Sequence, residues 1–184
     1  DWRTGIQSVM REKVISILHE WKGELIEYPY TEGVSIETLR KELDGQGILP
    51  ERRRNRLVSL LKIKEIVRVL EAHNGLSGLI VENTKVIKGD KIEGFDAMWV
   101  SSLCDSTAKG KPDIELVDMS SRLDTINQIM EVTTKPIILD GDTGGLLEHF
   151  VFNVKTLERI GVSAIIIEDK IGLKKNSLFG NKLK

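Results

Sequence analysis

Apolar residues recur every three or four positions from Ile6 to Trp21, through Val9, Met10, Val14, Ile17 and Leu18. That spacing lines one face of a helix. A second helix is predicted from Ile36 to Leu43, with Ser35 as its N-cap, Glu37 in the first turn where the helix dipole favours an anion, and Gly45 as a stop. Pro50 suits the start of a third helix whose apolar stripe is Leu57, Val58, Leu60 and Leu61. Glu24 to Tyr28 is a candidate strand between the first two helices.

Beyond this point the period shortens. Ile66 to Leu70, Ala97 to Val100, Pro136 to Leu139 and Ala164 to Ile167 are short apolar runs, each followed by polar or glycine-rich residues and then by helical spacing. One such helix runs through Val117, Met119, Leu123, Ile126, Ile129 and Met130, and another through Phe150, Val151, Val154, Leu157 and Ile160. A βα repeat with nearly continuous apolar strands predicts a parallel sheet buried on both faces, as in a (β/α) barrel or a doubly wound sheet. Asn83 to Gly94, rich in lysine, reads as an exposed excursion without a period.

Composition narrows the partners. The 184 residues are 40% hydrophobic and 30% charged, with 27 basic and 28 acidic side chains and a formal net charge of -1, so no whole-molecule field draws the chain to nucleic acid or an anionic membrane. Arg52-Arg53-Arg54-Asn55-Arg56 is read as a solvated helix face rather than a nucleic-acid patch. The single cysteine, Cys104, excludes an internal disulfide framework and fits a reducing compartment, with the cytoplasm as the expectation. No apolar stretch approaches the roughly 20 residues of a membrane span, and Asp1-Trp2-Arg3 lacks the layout of a secretory signal.

In parallel α/β folds the chemistry gathers at the carboxyl ends of the strands. Here those ends carry Glu71-Ala72-His73-Asn74-Gly75, Ser101-Ser102-Leu103, Asp140-Gly141-Asp142-Thr143-Gly144 and Glu168-Asp169-Lys170. Acidic groups at three strand ends are expected to face one another across a barrel mouth, where they repel unless a cation or protons neutralise them. Oxygen ligands without His or Cys point to Mg²⁺ or Mn²⁺. The alternation of a continuing strand would put Asp140 and Asp142 on one side. The competing reading is that one of them caps the next helix while the other pairs with a lysine. Asp113, taken alone, reads as a turn or cap residue before a helix beginning near Ile114.

The linked motifs Glu71 to Ser77, Trp99 to Leu103, Lys111-Pro112-Asp113, Asp140 to Gly144, and Glu168-Asp169-Lys170 through Lys174-Lys175-Asn176-Ser177 resemble the phosphoenolpyruvate mutase family of the isocitrate lyase superfamily. The resemblance runs from Pro50 to Gly180. It implies the first half of an eight-stranded (β/α) barrel over residues 50–184, preceded by a helical extension over residues 1–49. It further implies a Mg²⁺ site in which Asp140 is the nearest carboxylate and Asp142 and Glu168 act largely through water.

The same resemblance assigns Trp99, Ser101, Ser102 and Leu103 to substrate, with Ser101 and the backbone N–H groups near Ser102 and Leu103 holding the pyruvyl carboxylate and carbonyl. Asp113 is implied to receive or closely shepherd the phosphoryl unit. Lys174, Asn176 and Ser177 are implied to lie on a gate that excludes water. The implied activity is isomerisation between phosphoenolpyruvate and phosphonopyruvate, with phosphonopyruvate hydrolysis or a non-catalytic binding or assembly module as alternatives. The related carbon–carbon lyases place a catalytic cysteine in the gate, and Lys170 to Gly180 has none. A half barrel would leave two sheet edges unpaired and should aggregate or seek a partner; a homo-oligomer, dimer or tetramer, is the expectation.

Overall fold

The computed structural model describes residues 5–25, 36–170 and 174–175. The chain falls into two compact units, residues 1–42 and 43–184. The first unit contains α1 (Gly5–Glu20) and most of α2 (Ile36–Gln46). The apolar stripe of α1 forms as predicted, yet Val9, Met10, Ile17 and Trp21 are exposed. Helix α2 runs past the predicted stop at Gly45 and ends before Gly47, whose φ of 71° is the left-handed turn a glycine takes without a Cβ clash. Ser35 and most of the candidate strand from Glu24 to Tyr28 lie outside the described residues, and Glu24 and Leu25 are not in a strand.

In the second unit the chain continues through α3 (Pro50–Ile63), β1 (Val69–Glu71), α4 (Gly75–Asn83), β2 (Lys85–Lys88), β3 (Lys91–Gly94), β4 (Ala97–Val100), α5 (Ser102–Ala108), α6 (Met119–Val132), β5 (Ile137–Asp140), α7 (Leu147–Ile160) and β6 (Ala164–Ile166). The four apolar runs become β1, β4, β5 and β6, which pair in that order and all in parallel. The register sets Met98 beside Ile137 and Val100 beside Leu139. All four are buried, and they pack with Ile126 and Ile129 of α6, Val81 of α4 and Leu157 of α7. On the alternate positions Trp99 and Ile166 are exposed, so only the helix-covered face of the sheet is a closed core.

The lysine-rich excursion is a structured element, contrary to the aperiodic reading. Strands β2 and β3 form an antiparallel hairpin whose two-residue turn begins at Gly89 with φ 58°, the arrangement of a type II′ turn. Val86, Ile87 and Ile92 are all exposed. With neither face buried, no alternation of apolar and polar residues was needed, and none was present to detect.

The arginine run also departs from expectation, because Arg53 is buried. Its Nη1 donates to the Thr133 carbonyl at 2.6 Å, its Nη2 to Met130 at 3.0 Å and its Nε to Ile48 at 3.3 Å. Those first two carbonyls close the C-terminus of α6, where a guanidinium satisfies orphaned acceptors and meets the negative end of the helix dipole. Arg52 and Arg54 form surface ion pairs with Asp44 and Glu158. No helix among the described residues is long and apolar enough to cross a membrane. Arg53→Met is expected to destabilise the fold by about 2–4 kcal/mol through the uncapped carbonyls, read by urea denaturation. A cost below about 0.5 kcal/mol, the level of an ordinary surface change, would show that Arg53 does not hold α6.

Candidate active site

The strand ends meet on the side where β4, β5 and β6 finish. Strand β5 ends at Asp140, and the next two residues turn sharply: Asp142 has φ 54°. A Cβ on Gly141 would stand 2.7 Å from Cδ1 of Ile165 and 2.8 Å from Cδ1 of Ile167, closer than packed carbons approach, so the residue between the two aspartates must be small. The predicted continuation of the strand through Asp142 therefore does not occur, yet the two side chains stay together. The Asp142 amide donates to Asp140 Oδ1 at 3.1 Å. Beyond the strands, the Gly141 N–H donates to the Ile166 carbonyl at 2.7 Å and the Glu168 N–H to the Asp142 carbonyl at 2.7 Å.

Helix α5 begins where β4 ends. Ser101 is its N-cap, with Oγ accepting from the Cys104 N–H at 3.4 Å. Ser102 turns to β5, donating to Asp140 Oδ2 from its N–H at 3.2 Å and from its hydroxyl at 2.9 Å. Ser101, Ser102, Asp113, Asp140, Asp142 and Lys174 are all buried, whereas Leu103 is half-buried. Trp99 stands on the sheet face outside the closed core and is 39% exposed.

Lys174 occupies the centre. Its Nζ donates to Ser102 Oγ at 2.7 Å and to Asp142 Oδ1, stands 3.0 Å from Asp113 Oδ1 and lies 3.7 Å from Glu168 Oε1. Burial opposes its charge, but the hydrogen bonds and charges of Asp142 and Asp113 outweigh burial and hold the ammonium above the ordinary lysine value. For Asp142, burial is the largest influence and raises the carboxyl above its usual range, against the opposing pull of Lys174 and Arg122.

Several sequence expectations change here. Helix α6 starts at Met119 rather than near Ile114, and its cap is Asp118, which accepts from the Ser121 N–H at 3.0 Å. Asp113 is thus no helix cap; it is buried beside Lys174. Neither Asp140 nor Asp142 caps a helix, although Asp142 does pair with a lysine. Of the acidic strand ends, Glu71 does not join the Lys174 cluster: it engages His73 Nδ1 at 3.0 Å. Cys104 lies nearby, and its thiol is pushed up by burial and by the Glu71 carboxylate. Ser102, expected to present its N–H to substrate, has that donor committed to Asp140. Asn176 and Ser177 lie outside the described residues.

Two residues not singled out from the sequence support the cluster. Glu115, at φ 60°, accepts from the Thr143 N–H at 2.7 Å and from its hydroxyl, clamping the Asp113 loop to the turn after β5. Arg122 donates from Nη1 to Asp142 Oδ2 at 2.6 Å and is 3% exposed. It sits three residues after Met119 and four before Ile126, on the apolar stripe of α6, and a charge on that stripe was the legible signal of a buried partner.

The donor chemistry fits a hard divalent cation. The acidic groups around Lys174 offer only oxygen, and the four carboxylates of Asp113, Asp140, Asp142 and Glu168 exceed in charge the three cations, Lys174, Arg122 and Lys170, that meet Asp113, Asp142 and Glu168. As placed, no three acidic, histidine or cysteine side chains among the described residues stand together closely enough to hold a metal. Lys174 fills the point that three of the carboxylates share.

The family profile described as phosphoenolpyruvate phosphomutase matches residues 57–183. The phosphoenolpyruvate phosphomutase of Tetrahymena pyriformis is 36% identical over 128 residues, covering 69% of this chain and 40% of that protein. Among solved structures, phosphoenolpyruvate phosphomutase from Streptomyces platensis subsp. rosaceus superposes with a TM-score of 0.61 at 30% identity, over 69% of this chain and 42% of that one. A phosphonopyruvate hydrolase in complex with oxalate and Mg²⁺ superposes with a TM-score of 0.58 at 28% identity, over 67% and 41%. The chain thus spans about two fifths of the length of these relatives. Its parallel strands with their helices are the corresponding part of the (β/α) barrel expected from the sequence. With well over half of its residues matched by the family profile, the chain belongs to the phosphoenolpyruvate phosphomutase family of the isocitrate lyase/PEP mutase superfamily.

Proposed function

We propose that the full-length protein is a Mg²⁺-dependent isomerase that interconverts phosphonopyruvate and phosphoenolpyruvate, and that residues 50–184 carry the barrel part of it while residues 1–49 are an extension. The observation that carries this reading is the gathering of Asp113, Asp142 and Glu168 about one buried lysine, next to the Ser102–Asp140 pair at the strand ends. In the forward sense the phosphorus–carbon bond of phosphonopyruvate breaks, its electron pair stays with the pyruvyl unit as an enolate, and the enolate oxygen forms the new bond to phosphorus.

Each side chain has work suited to its chemistry. Asp140, Asp142 and Glu168 would hold the metal, which when bound supplies positive charge opposite the enolate and phosphoryl oxygens. Ser101 and the free N–H of the first turn of α5 orient the pyruvyl carboxylate and carbonyl, with Trp99 alongside. Asp113 lies within 3.0 Å of Lys174, where it can receive the phosphoryl unit or steer it, while the ammonium offsets the charge that accumulates. Lys174, together with Asn176 and Ser177, excludes water, because a captured phosphoryl group would leave as inorganic phosphate.

The hydrolase reading is favoured by the likeness to a phosphonopyruvate hydrolase at nearly the same TM-score. Phosphorus NMR of the full-length protein with phosphonopyruvate and Mg²⁺ separates the two. Phosphoenolpyruvate is expected to grow in; inorganic phosphate as the sole product would replace the isomerase by a hydrolase, and an unchanged spectrum would remove both. Asp113→Ala is expected to lower turnover by about a thousandfold or more while calorimetry still detects divalent binding; activity near wild type would take Asp113 out of the reaction. Asp140→Ala is expected to abolish the metal response, and an unaltered Mg²⁺ dependence of the rate would refute the ligand assignment.

A further inference from the structure

A buried arginine on the apolar stripe of α6 is costly unless every charge around it is answered. The guanidinium of Arg122 reaches three places. Nη1 donates to Asp142 Oδ2 at 2.6 Å, Nη2 donates to the Val100 carbonyl at 3.4 Å, and Nε faces Asp105 Oδ2 at 3.8 Å. Asp105 is 1% exposed and is itself held: its Oδ1 accepts from Thr125 Oγ1 at 2.8 Å and from Lys109 Nζ, and that ammonium also donates to Thr125 Oγ1 at 2.6 Å. A line of alternating charge therefore runs from Lys174 through Asp142, Arg122 and Asp105 to Lys109. The two atoms facing each other at 3.8 Å, Asp105 Oδ2 and Arg122 Nε, have no hydrogen-bond partner, so the ionic attraction at that gap is unrelieved by any neutral contact.

The two oxygens of Asp142 are thereby divided. One belongs to Arg122, on a helix packed into the core; the other faces the site and meets Lys174. Asp142 also sits at φ 54°, a backbone state that gives its side chain no strand or helix to fix its direction. From this geometry we infer that Arg122 is a positioning residue, which, on the functional reading above, fixes the Asp142 carboxylate so that its free oxygen is presented to a divalent cation when Lys174 gives way. Asp105, Thr125 and Lys109 are the anchor that keeps the guanidinium from turning. Arginine suits this task because its planar fork reaches Asp142 and the Val100 carbonyl at once, which an ammonium on a lysine stem does not.

The test uses Mn²⁺ as the probe, with free Mn²⁺ followed by electron paramagnetic resonance in the full-length protein, well below each variant's melting temperature. Arg122→Met is expected to weaken Mn²⁺ binding by about 10–100-fold, the range for losing a residue that orients a ligand, and Arg122→Lys by at least about threefold. Leu57→Ala, on the buried face of α3, serves as the stability control: it lowers the melting temperature and leaves the Mn²⁺ affinity unchanged. Wild-type affinity in folded Arg122→Met overturns the inference; if that variant does not fold, wild-type affinity in Arg122→Lys does so. Should the wild type itself take up no Mn²⁺, the functional reading fails, and the crystal structure of either variant decides the positioning role separately. An Asp142 carboxylate turned away from Lys174 supports it, and one left in place refutes it.

Discussion

Four carboxylates confined to one small volume cannot all stay charged without positive partners, and the architecture of the second unit is arranged around that electrostatic constraint. Asp113, Asp140, Asp142 and Glu168 come from three separate strand-end segments, and only the parallel order β1-β4-β5-β6 brings those segments to a common edge. Coulomb repulsion at these separations is large wherever water is excluded. It is relieved by Lys174 from the side of the site and by Arg122 from the side of the core, while Lys170 pairs with Glu168. The ammonium and the guanidinium differ in how they are held. Arg122 rises from a packed helix and faces Asp105 across 3.8 Å, whereas Lys174 is contributed by the segment beyond β6.

The supports of the site are cooperative with the fold. Ser102 joins α5 to β5 through Asp140, Glu115 joins the Asp113 loop to Thr143, and Arg53 closes α6, the helix that delivers Arg122. Each bond links elements that are distant in sequence, so the geometry of the carboxylates is inherited from the packing of α6 against β4 and β5. Gly141 plays a spatial part in the same arrangement: Ile165 of β6 and Ile167 just beyond it lie against Gly141, leaving no room for a larger residue between the two aspartates.

The strands were legible as short continuous apolar runs, although only the helix-covered face is buried, and Ala97 to Val100 is the same four residues in sequence and structure. The candidate carboxylates were legible because a strand end loaded with acid is physically anomalous. What escaped detection had weaker local signals. The β2–β3 hairpin buries neither face, so its sequence shows no alternation. The burial of Asp113 depends on Lys174, sixty-one positions later, and no local pattern reports a contact of that range. Arg122 left a trace, a charge on an apolar stripe, but its meaning required knowing that the stripe passes behind Asp142. The first unit shows the opposite failure. The stripe of α1 was read correctly as a pattern, yet Val9, Met10 and Ile17 are exposed, so periodicity predicted the helix and not its burial.

On the proposed function, the position held by Lys174 is a cation site formed by the surrounding acids. This is tested most directly by the crystal structure of the full-length protein grown with Mn²⁺, with anomalous scattering used to locate the ion. One strong peak is expected within ligating reach of Asp140, with Asp142 and Glu168 turned toward it and the Lys174 ammonium displaced. A map with Lys174 still seated among Asp113, Asp142 and Glu168 and no manganese beside Asp140 would contradict it.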